Sequence, residues 1–191
     1  VSCGGHLMSD INTLYGCKSS SLMDKFSRIR LLACDVDGVF SDGRIYMGNA
    51  GEELKAFHTR DGFGVKALMN IGVHVAVITG RESKIVQQRM SALGVKHIIQ
   101  GCEAKDTALA ALQRELKIGK EATASMGDDM PDIGMFDLSH IAIATSDAHP
   151  FVKKQALYIT QINGGFGAVR EVCDLILHAK GKLNKVTGTS I

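Results

Sequence analysis

Leu31-Leu32-Ala33-Cys34-Asp35-Val36-Asp37-Gly38 is an apolar run that ends on two carboxylates and a glycine. Four apolar residues in succession suit a strand buried on both faces of a parallel sheet. Asp35 and Asp37, two positions apart, point the same way if the strand continues, and Gly38 lets the chain turn. The same pattern recurs. Residues 73–78 run into Thr79-Gly80-Arg81, and residues 122–126 run into Gly127-Asp128-Asp129. Residues 96–99, 141–144 and 157–160 supply three more short apolar runs.

Helical patterns fall between these runs. Residues 62–71 follow Asp61, a good N-cap, and stop at Gly72; residues 83–93 stop at Gly94. Residues 105–116 carry Ala108, Leu109, Leu112 and Leu116 on one stripe, and residues 168–179 carry Val169, Val172, Cys173 and Ile176. Strands alternating with helices predict an α/β fold, a doubly wound parallel sheet. One segment breaks the alternation. Residues 44–48 and 53–57 flank Asn49-Ala50-Gly51 and predict a projecting β-hairpin.

The chain has 191 residues, 45% hydrophobic and 22% charged, with a net charge of +2. That bounds one ordinary domain and gives no electrostatic case for a nucleic-acid or membrane partner. No apolar run approaches the roughly 20 residues of a membrane helix, and no secretory signal is expected, so the localisation expected is cytoplasmic. Five cysteines without CxxC spacing are expected to be reduced thiols rather than a disulfide frame or a zinc site. Residues 1–7 read as a cloning remnant ahead of an initiator Met8. Residues 1–24 together are expected to form that remnant and a loose arm or marginal helix, 25–180 the single domain, and 181–191 a mobile tail.

Ligands of doubly wound sheets bind beyond the carboxyl ends of the strands. Asp35, Thr79 and Asp128 each sit just past such an end, so they are expected to share one crevice. The residue types suit phosphoryl transfer. One carboxylate of the Asp35/Asp37 pair can attack phosphorus, and the other can protonate the leaving oxygen and later deprotonate water. Carboxylates also recruit Mg²⁺. Thr79 and nearby backbone N–H groups suit a phosphoryl oxygen, and Lys105 at a helix start can neutralise phosphate and nucleophile. Each has a plainer reading: a strand-end turn for Asp-x-Asp-Gly, a cap for Thr79, a solvated side chain for Lys105. Gly127-Asp128-Asp129 with Asp132 is harder to explain away, because capping needs one acid and three so close repel. Taken jointly, in one order, the motifs point to a shared site.

That order resembles the haloacid dehalogenase superfamily of phosphohydrolases. The resemblance implies that Asp35 is the nucleophile and Asp37 the acid/base, with Thr79 and Lys105 holding the phosphoryl group. It implies that Mg²⁺ is held by the Asp35 and Asp128 side chains and the Asp37 carbonyl, with Asp129 supporting from behind. The stretches 48–57, Arg60-Asp61-Gly62, Asp147-Ala148-His149-Pro150 and 167–176 are similar to the 3-deoxy-D-manno-octulosonate 8-phosphate phosphatases, cytoplasmic enzymes of lipopolysaccharide synthesis. Phe166 stands where that family leads one to expect an arginine, and His58-Thr59 are unusual before Arg60. Spacing leaves no room for a cap domain. The intervals from Asp37 to Thr79 and from Lys105 to Asp128 are filled by the elements already named.

The resemblance therefore implies a capless phosphatase of a phosphorylated sugar acid. A lone two-stranded hairpin is marginal in water, so copies of it are expected to pair around a symmetry axis, burying Ile45, Tyr46, Leu54 and Phe57. The chain is thus expected to form a closed homo-oligomer, a tetramer as in the family it resembles, with each site covered by a neighbour's hairpin. Substrate contacts are expected from His58, Thr59, Arg60, Asp61, Gly62, Lys66, Arg81 and Arg89. A related phosphatase of a nonulosonate 9-phosphate is the alternative. A receiver-like signalling module has the same parts but carries its acidic pair first and its phospho-acceptor Asp alone on a later strand.

Overall fold

A computed structural model describes residues 10–185. The expected remnant at 1–7 and the last residues of the expected tail lie outside that range. The strands are β1 (Asp10–Thr13), β2 (Gly16–Ser19), β3 (Leu31–Cys34), β4 (Tyr46–Met47), β5 (Glu53–Leu54), β6 (His74–Ile78), β7 (His97–Ile99), β8 (Thr123–Gly127), β9 (Ile141–Ala144) and β10 (Tyr158–Ile159). The helices are α1 (Ser20–Arg28), α2 (Thr59–Asn70), α3 (Lys84–Leu93), α4 (Lys105–Leu116), α5 (Ile133–Asp137), α6 (Pro150–Gln155) and α7 (Ala168–Ala179).

Six strands form one parallel sheet in the order β10-β9-β8-β3-β6-β7. The chain moves outward from β3 to β6 and β7, then α4 carries it back across β3 to β8. The strand order therefore reverses at β3, and the crevice of a doubly wound sheet opens at such a reversal. Alternation along β3 explains the two layers. Leu32 and Cys34 face a core shared with α1, α2, α3 and α7, whereas Leu31 and Ala33 face a second core with Leu109 and Leu112 of α4. β3 is buried at all four positions, as a central parallel strand must be.

Two expectations need correction. The N-terminal segment is not a loose arm: β1 and β2 pair as an antiparallel hairpin and lead into α1, whose Met23 and Phe26 are buried in the main core. Ser19 caps α1 by accepting from Leu22 N at 3.2 Å. Tyr15 Oη donates to Asp174 of α7 at 2.9 Å, which ties the hairpin down. Nor are all the cysteines free. Cys34, Cys102 and Cys173 are free thiols, but Cys17 is disulfide-bonded. Dispersed spacing carries no signal for such a pairing.

The projecting hairpin is present but short, pairing only Tyr46 with Leu54 and Met47 with Glu53. Ile45, Tyr46, Met47 and Leu54 are exposed on it, while Phe57 is partly buried against the chain's own core.

Candidate active site

The strand ends converge as expected. Asp35, Asp37, Thr79, Lys105 and Asp128 all line one cavity of about 290 Å³ beyond β3, β6 and β8. Asp35 is held at the strand end by donating its N–H to Met126 O at 3.0 Å, in register with the β3–β8 ladder. Gly38 turns the chain with φ +85°, and a Cβ there would fall 2.0 Å from Asp128 Oδ2. Glycine is therefore required twice, for the left-handed backbone and for the close approach of the carboxylate. Thr79 is buried, its N–H donating to Ile99 O at 2.9 Å and its carbonyl accepting from Cys102 N at 3.1 Å.

Lys105 begins α4 with its side chain 4% exposed and its Nζ 2.9 Å from Asp35 Oδ1 and 2.7 Å from Asp132 Oδ1. The well-aligned hydrogen bond is the one to Asp132. Asp132 is the central support of the site. Its Oδ2 accepts from Asp128 N at 2.9 Å and Asp129 N at 3.2 Å, which clamps the loop after β8. Asp129, by contrast, is exposed and caps the following turn by accepting from Met130 N at 2.8 Å. Asp129 lines the same cavity, and Asp132, which the sequence reading leaves without a role at the metal, is the residue that holds Lys105 and the loop. The capping box between these two residues turns one carboxylate outward and the other inward.

Carboxylate oxygens of Asp35, Asp128 and Asp132 lie within 4.8 Å of one another. Asp132 has both oxygens engaged, but Asp35 Oδ1 and Asp128 Oδ1 are buried without an aligned donor. Asp128 Oδ1 has no partner at all, and the one ammonium of Lys105 beside Asp35 Oδ1 does not balance three converging carboxylates, whereas a hard divalent cation does. The residues therefore fit a magnesium ion, with Asp35 and Asp128 as side-chain ligands. Without a cation, burial together with the charge of Asp132 pushes Asp35 up to about 6 despite Lys105, and burial with Asp132 and Asp35 pushes Asp128 up to about 8.

These directions make a prediction for the metal-free protein. Both groups hold protons in the folded state at pH values where the unfolded chain, near the ordinary carboxylate value, has lost them. The folded state binds more protons, so stability falls as pH rises from about 4 through 6 and 8. Melting in chelator is expected at progressively lower temperature across that range. Saturating Mg²⁺ is expected to flatten the trend, and the same slope with and without Mg²⁺ counts against this cation site.

The expected substrate contacts are gathered less completely. Arg81 lines the cavity, with its Nη2 donating to Glu53 Oε2 of β5 at 3.2 Å. His58 is taken up as the N-cap of α2, its Nδ1 accepting from Arg60 N at 3.1 Å. Thr59 and Arg60 are exposed at that helix start. Asp61 is buried, its Oδ1 accepting from Arg170 N at 2.7 Å, which holds the first turn of α7 against α2, while its Oδ2 has no hydrogen-bond partner. Gly62 is buried in the same contact layer. Lys66 lies about 10 Å further along α2 and lines a different, larger cavity of about 630 Å³ with His74, Leu93 and His97. That cavity flanks the opposite ends of β6 and β7 and has no acidic cluster, so the chemistry belongs to the smaller one. Arg89 is half-buried on α3, near Asp61. Phe166 is 56% exposed on a loop whose Gly164 and Gly165 press on residues 38–42.

Three residues at the site were not read from the sequence. Lys55 forms an ion pair with Asp37 Oδ1, Ser41 Oγ donates to the same oxygen at 3.1 Å, and Glu53 holds Arg81. The signal was present in Glu53-Leu54-Lys55, where polar residues alternate around an apolar one.

Comparison with known proteins agrees with this geometry. A family model for haloacid dehalogenase-like hydrolases matches residues 98–172. The chain is 48% identical over 183 residues to 3-deoxy-D-manno-octulosonate 8-phosphate phosphatase KdsC of Escherichia coli, covering 96% of this chain and 97% of that one. It superposes on the crystal structure of the Yersinia pestis phosphatase of the same name with TM-score 0.93 and 46% identity, covering 97% and 100% of the two chains. The Moraxella catarrhalis phosphatase, solved in complex with magnesium, phosphate and KDO, matches with TM-score 0.84 and 41% identity over 86% of this chain and 95% of that one.

Proposed function

Since the chain belongs to the 3-deoxy-D-manno-octulosonate 8-phosphate phosphatases of the haloacid dehalogenase-like hydrolases, we propose how its own residues carry out that hydrolysis. The enzyme is a metal-dependent phosphomonoesterase that releases the free sugar acid and phosphate. The observation that carries the mechanism is the convergence of Asp35, Asp128 and Lys105 on one strand-end cavity, beside Asp37.

Asp35 attacks phosphorus. The bond from phosphorus to the sugar oxygen breaks, its electron pair stays on that oxygen, and the oxygen takes the proton of Asp37. Asp37 then takes a proton from water, whose oxygen attacks the aspartyl-phosphate. The bond to Asp35 breaks and phosphate leaves. Thr79 and Lys105 hold the phosphoryl oxygens through both steps. Asp35, Asp128 and the Asp37 carbonyl would hold the magnesium ion, which when bound supplies positive charge to the phosphoryl oxygens and relieves the repulsion between carboxylates. Asp132 keeps Lys105 and the loop after β8 in place.

Arg81 is the residue best placed to meet the substrate carboxylate, as a guanidinium offers a planar fork to it. Such a carboxylate would compete with Glu53. Arg60 and Arg89 do not line this chain's own cavity. The hairpin's exposed Ile45, Tyr46, Met47 and Leu54 support a closed homo-oligomer, a tetramer in this reading. No described helix is long and apolar enough to cross a membrane; a cytoplasmic location is part of the proposal.

The test is phosphate release from a panel of sugar phosphates, with and without Mg²⁺, alongside light scattering. Release from the octulosonate 8-phosphate that stops in chelator and returns with Mg²⁺ is expected. Preference for a nonulosonate 9-phosphate would move the substrate assignment, and a fully active monomer would remove the oligomer.

A further inference from the structure

The β4–β5 hairpin is exposed on its outer face, with Met47 76% and Leu54 67% accessible. Lys55, next to Leu54, is the opposite: its side chain is 2% exposed. Alternation about Leu54 turns Glu53 and Lys55 inward together, toward the cavity rather than the solvent. A lysine carried under a marginal two-stranded hairpin must find an anion there, since an unpaired buried ammonium is expensive. The anion it finds is Asp37 Oδ1.

Two features make this pair more than a fastening. Ser41 Oγ donates to the same oxygen at 3.1 Å, so both donors fall on Oδ1 and Oδ2 is the oxygen left to handle a proton. Glu53, on the same inward face, is tied to Arg81 at 3.2 Å, which seats the strand that carries Lys55. The hairpin thus reaches the site at two points: the loop of Arg81, and the carboxylate two residues after the nucleophile.

We propose that Lys55 is a positioning residue for Asp37: the seated hairpin delivers its ammonium to Oδ1 and thereby aims Oδ2 at the reacting centre. This rests on the reading of Asp37 as acid/base. The orientation matters most when Asp37 is ionised and must take a proton from the water that attacks the aspartyl-phosphate. A carboxylate free to rotate would accept that proton only part of the time. Lys55 moves no proton itself, and no bond to phosphorus is made or broken at it.

The experiment is stopped-flow release of p-nitrophenolate from p-nitrophenyl phosphate, with steady-state kinetics on the sugar phosphate, for Lys55→Met, Lys55→Arg and Asp37→Asn. p-Nitrophenolate leaves as a stable anion, so formation of the phosphoenzyme needs little help from Asp37. Lys55→Met keeps the buried stem and removes the charge. It is expected to lower kcat by about tenfold to a hundredfold, with KM changed less than about threefold, and to show a burst approaching one p-nitrophenolate per site. Lys55→Arg is expected to recover much of kcat and lose the burst. A hairpin that is merely loosened would raise KM and show no burst. Near-normal kcat in Lys55→Met, or a low kcat without a burst, overturns the inference if Asp37→Asn does show the burst. If Asp37→Asn shows no burst, whether or not its rate falls, the reading of Asp37 as base for the hydrolytic step fails first and the inference falls with it.

Discussion

Asp35→Asn is expected to lower kcat by at least about 10⁴-fold while leaving the fold as stable as before or more so. The two effects have one cause. Asparagine fills the same volume at a position only 7% exposed, but its neutral amide oxygen is too weak a nucleophile to form the acyl phosphate. The charge it removes is one that the fold disfavours without a cation, since burial and Asp132 both raise Asp35 against the pull of Lys105. Catalytic carboxylates are often held at such a cost. The measurement is single-turnover hydrolysis at saturating Mg²⁺, so that a weakened cation site does not masquerade as a lost nucleophile, with thermal melting in chelator. Retention of a rate within tenfold would place the nucleophile elsewhere. A large drop in melting temperature would mean that Asp35 supports the fold in a way its surroundings do not suggest.

The parts of this site that could be read from the sequence are those whose position follows from local pattern. Asp35, Thr79 and Asp128 each follow a short, mainly apolar run, and the ends of parallel strands meet at one edge of a sheet whatever the side chains do next. Lys105 was legible for a similar reason, as the first residue of an amphipathic helix between two such strands. The part that Asp132 plays beside Asp129 was not legible. Spacing placed both near the loop, but which carboxylate turned inward depended on a capping box closing in a three-residue turn. Lys55 depended on where a two-residue ladder would lie over the sheet, which is a tertiary matter. The N-terminal hairpin was missed because its strands are short and polar, and because its anchor, Tyr15 to Asp174, spans a separation of 159 residues. The partner of Asp61 was hidden for the complementary reason: it is a backbone N–H of α7, 109 residues away, which no local pattern around Asp61 announces.

Lys105→Met is expected to act on stability with the opposite sign from Asp35→Asn. The side chain is 4% exposed and lies between Asp35 and Asp132. Methionine replaces its stem but leaves two buried carboxylates without their cation, and breaking a buried ion pair from one side costs about 3–5 kcal/mol. The loss spreads through Asp132, whose other oxygen holds the amides of Asp128 and Asp129. Activity is expected to fall by about 10²–10³-fold, the usual scale for removing one preorganised positive group from a charged transition state. Urea unfolding in chelator, at neutral and mildly acidic pH, reads the stability part. The deficit should shrink as pH falls through about 6, because burial and the charge of Asp132 raise Asp35 to that value and protonating it removes one of the charges that Lys105 had balanced. Adding Asp132→Asn separates the two roles. The double variant should regain part of the stability, since one of the stranded charges is gone, and should regain none of the activity, since the phosphoryl group still lacks its ammonium. Effects that simply add would show that Lys105 and Asp132 are independent, contrary to their 2.7 Å contact.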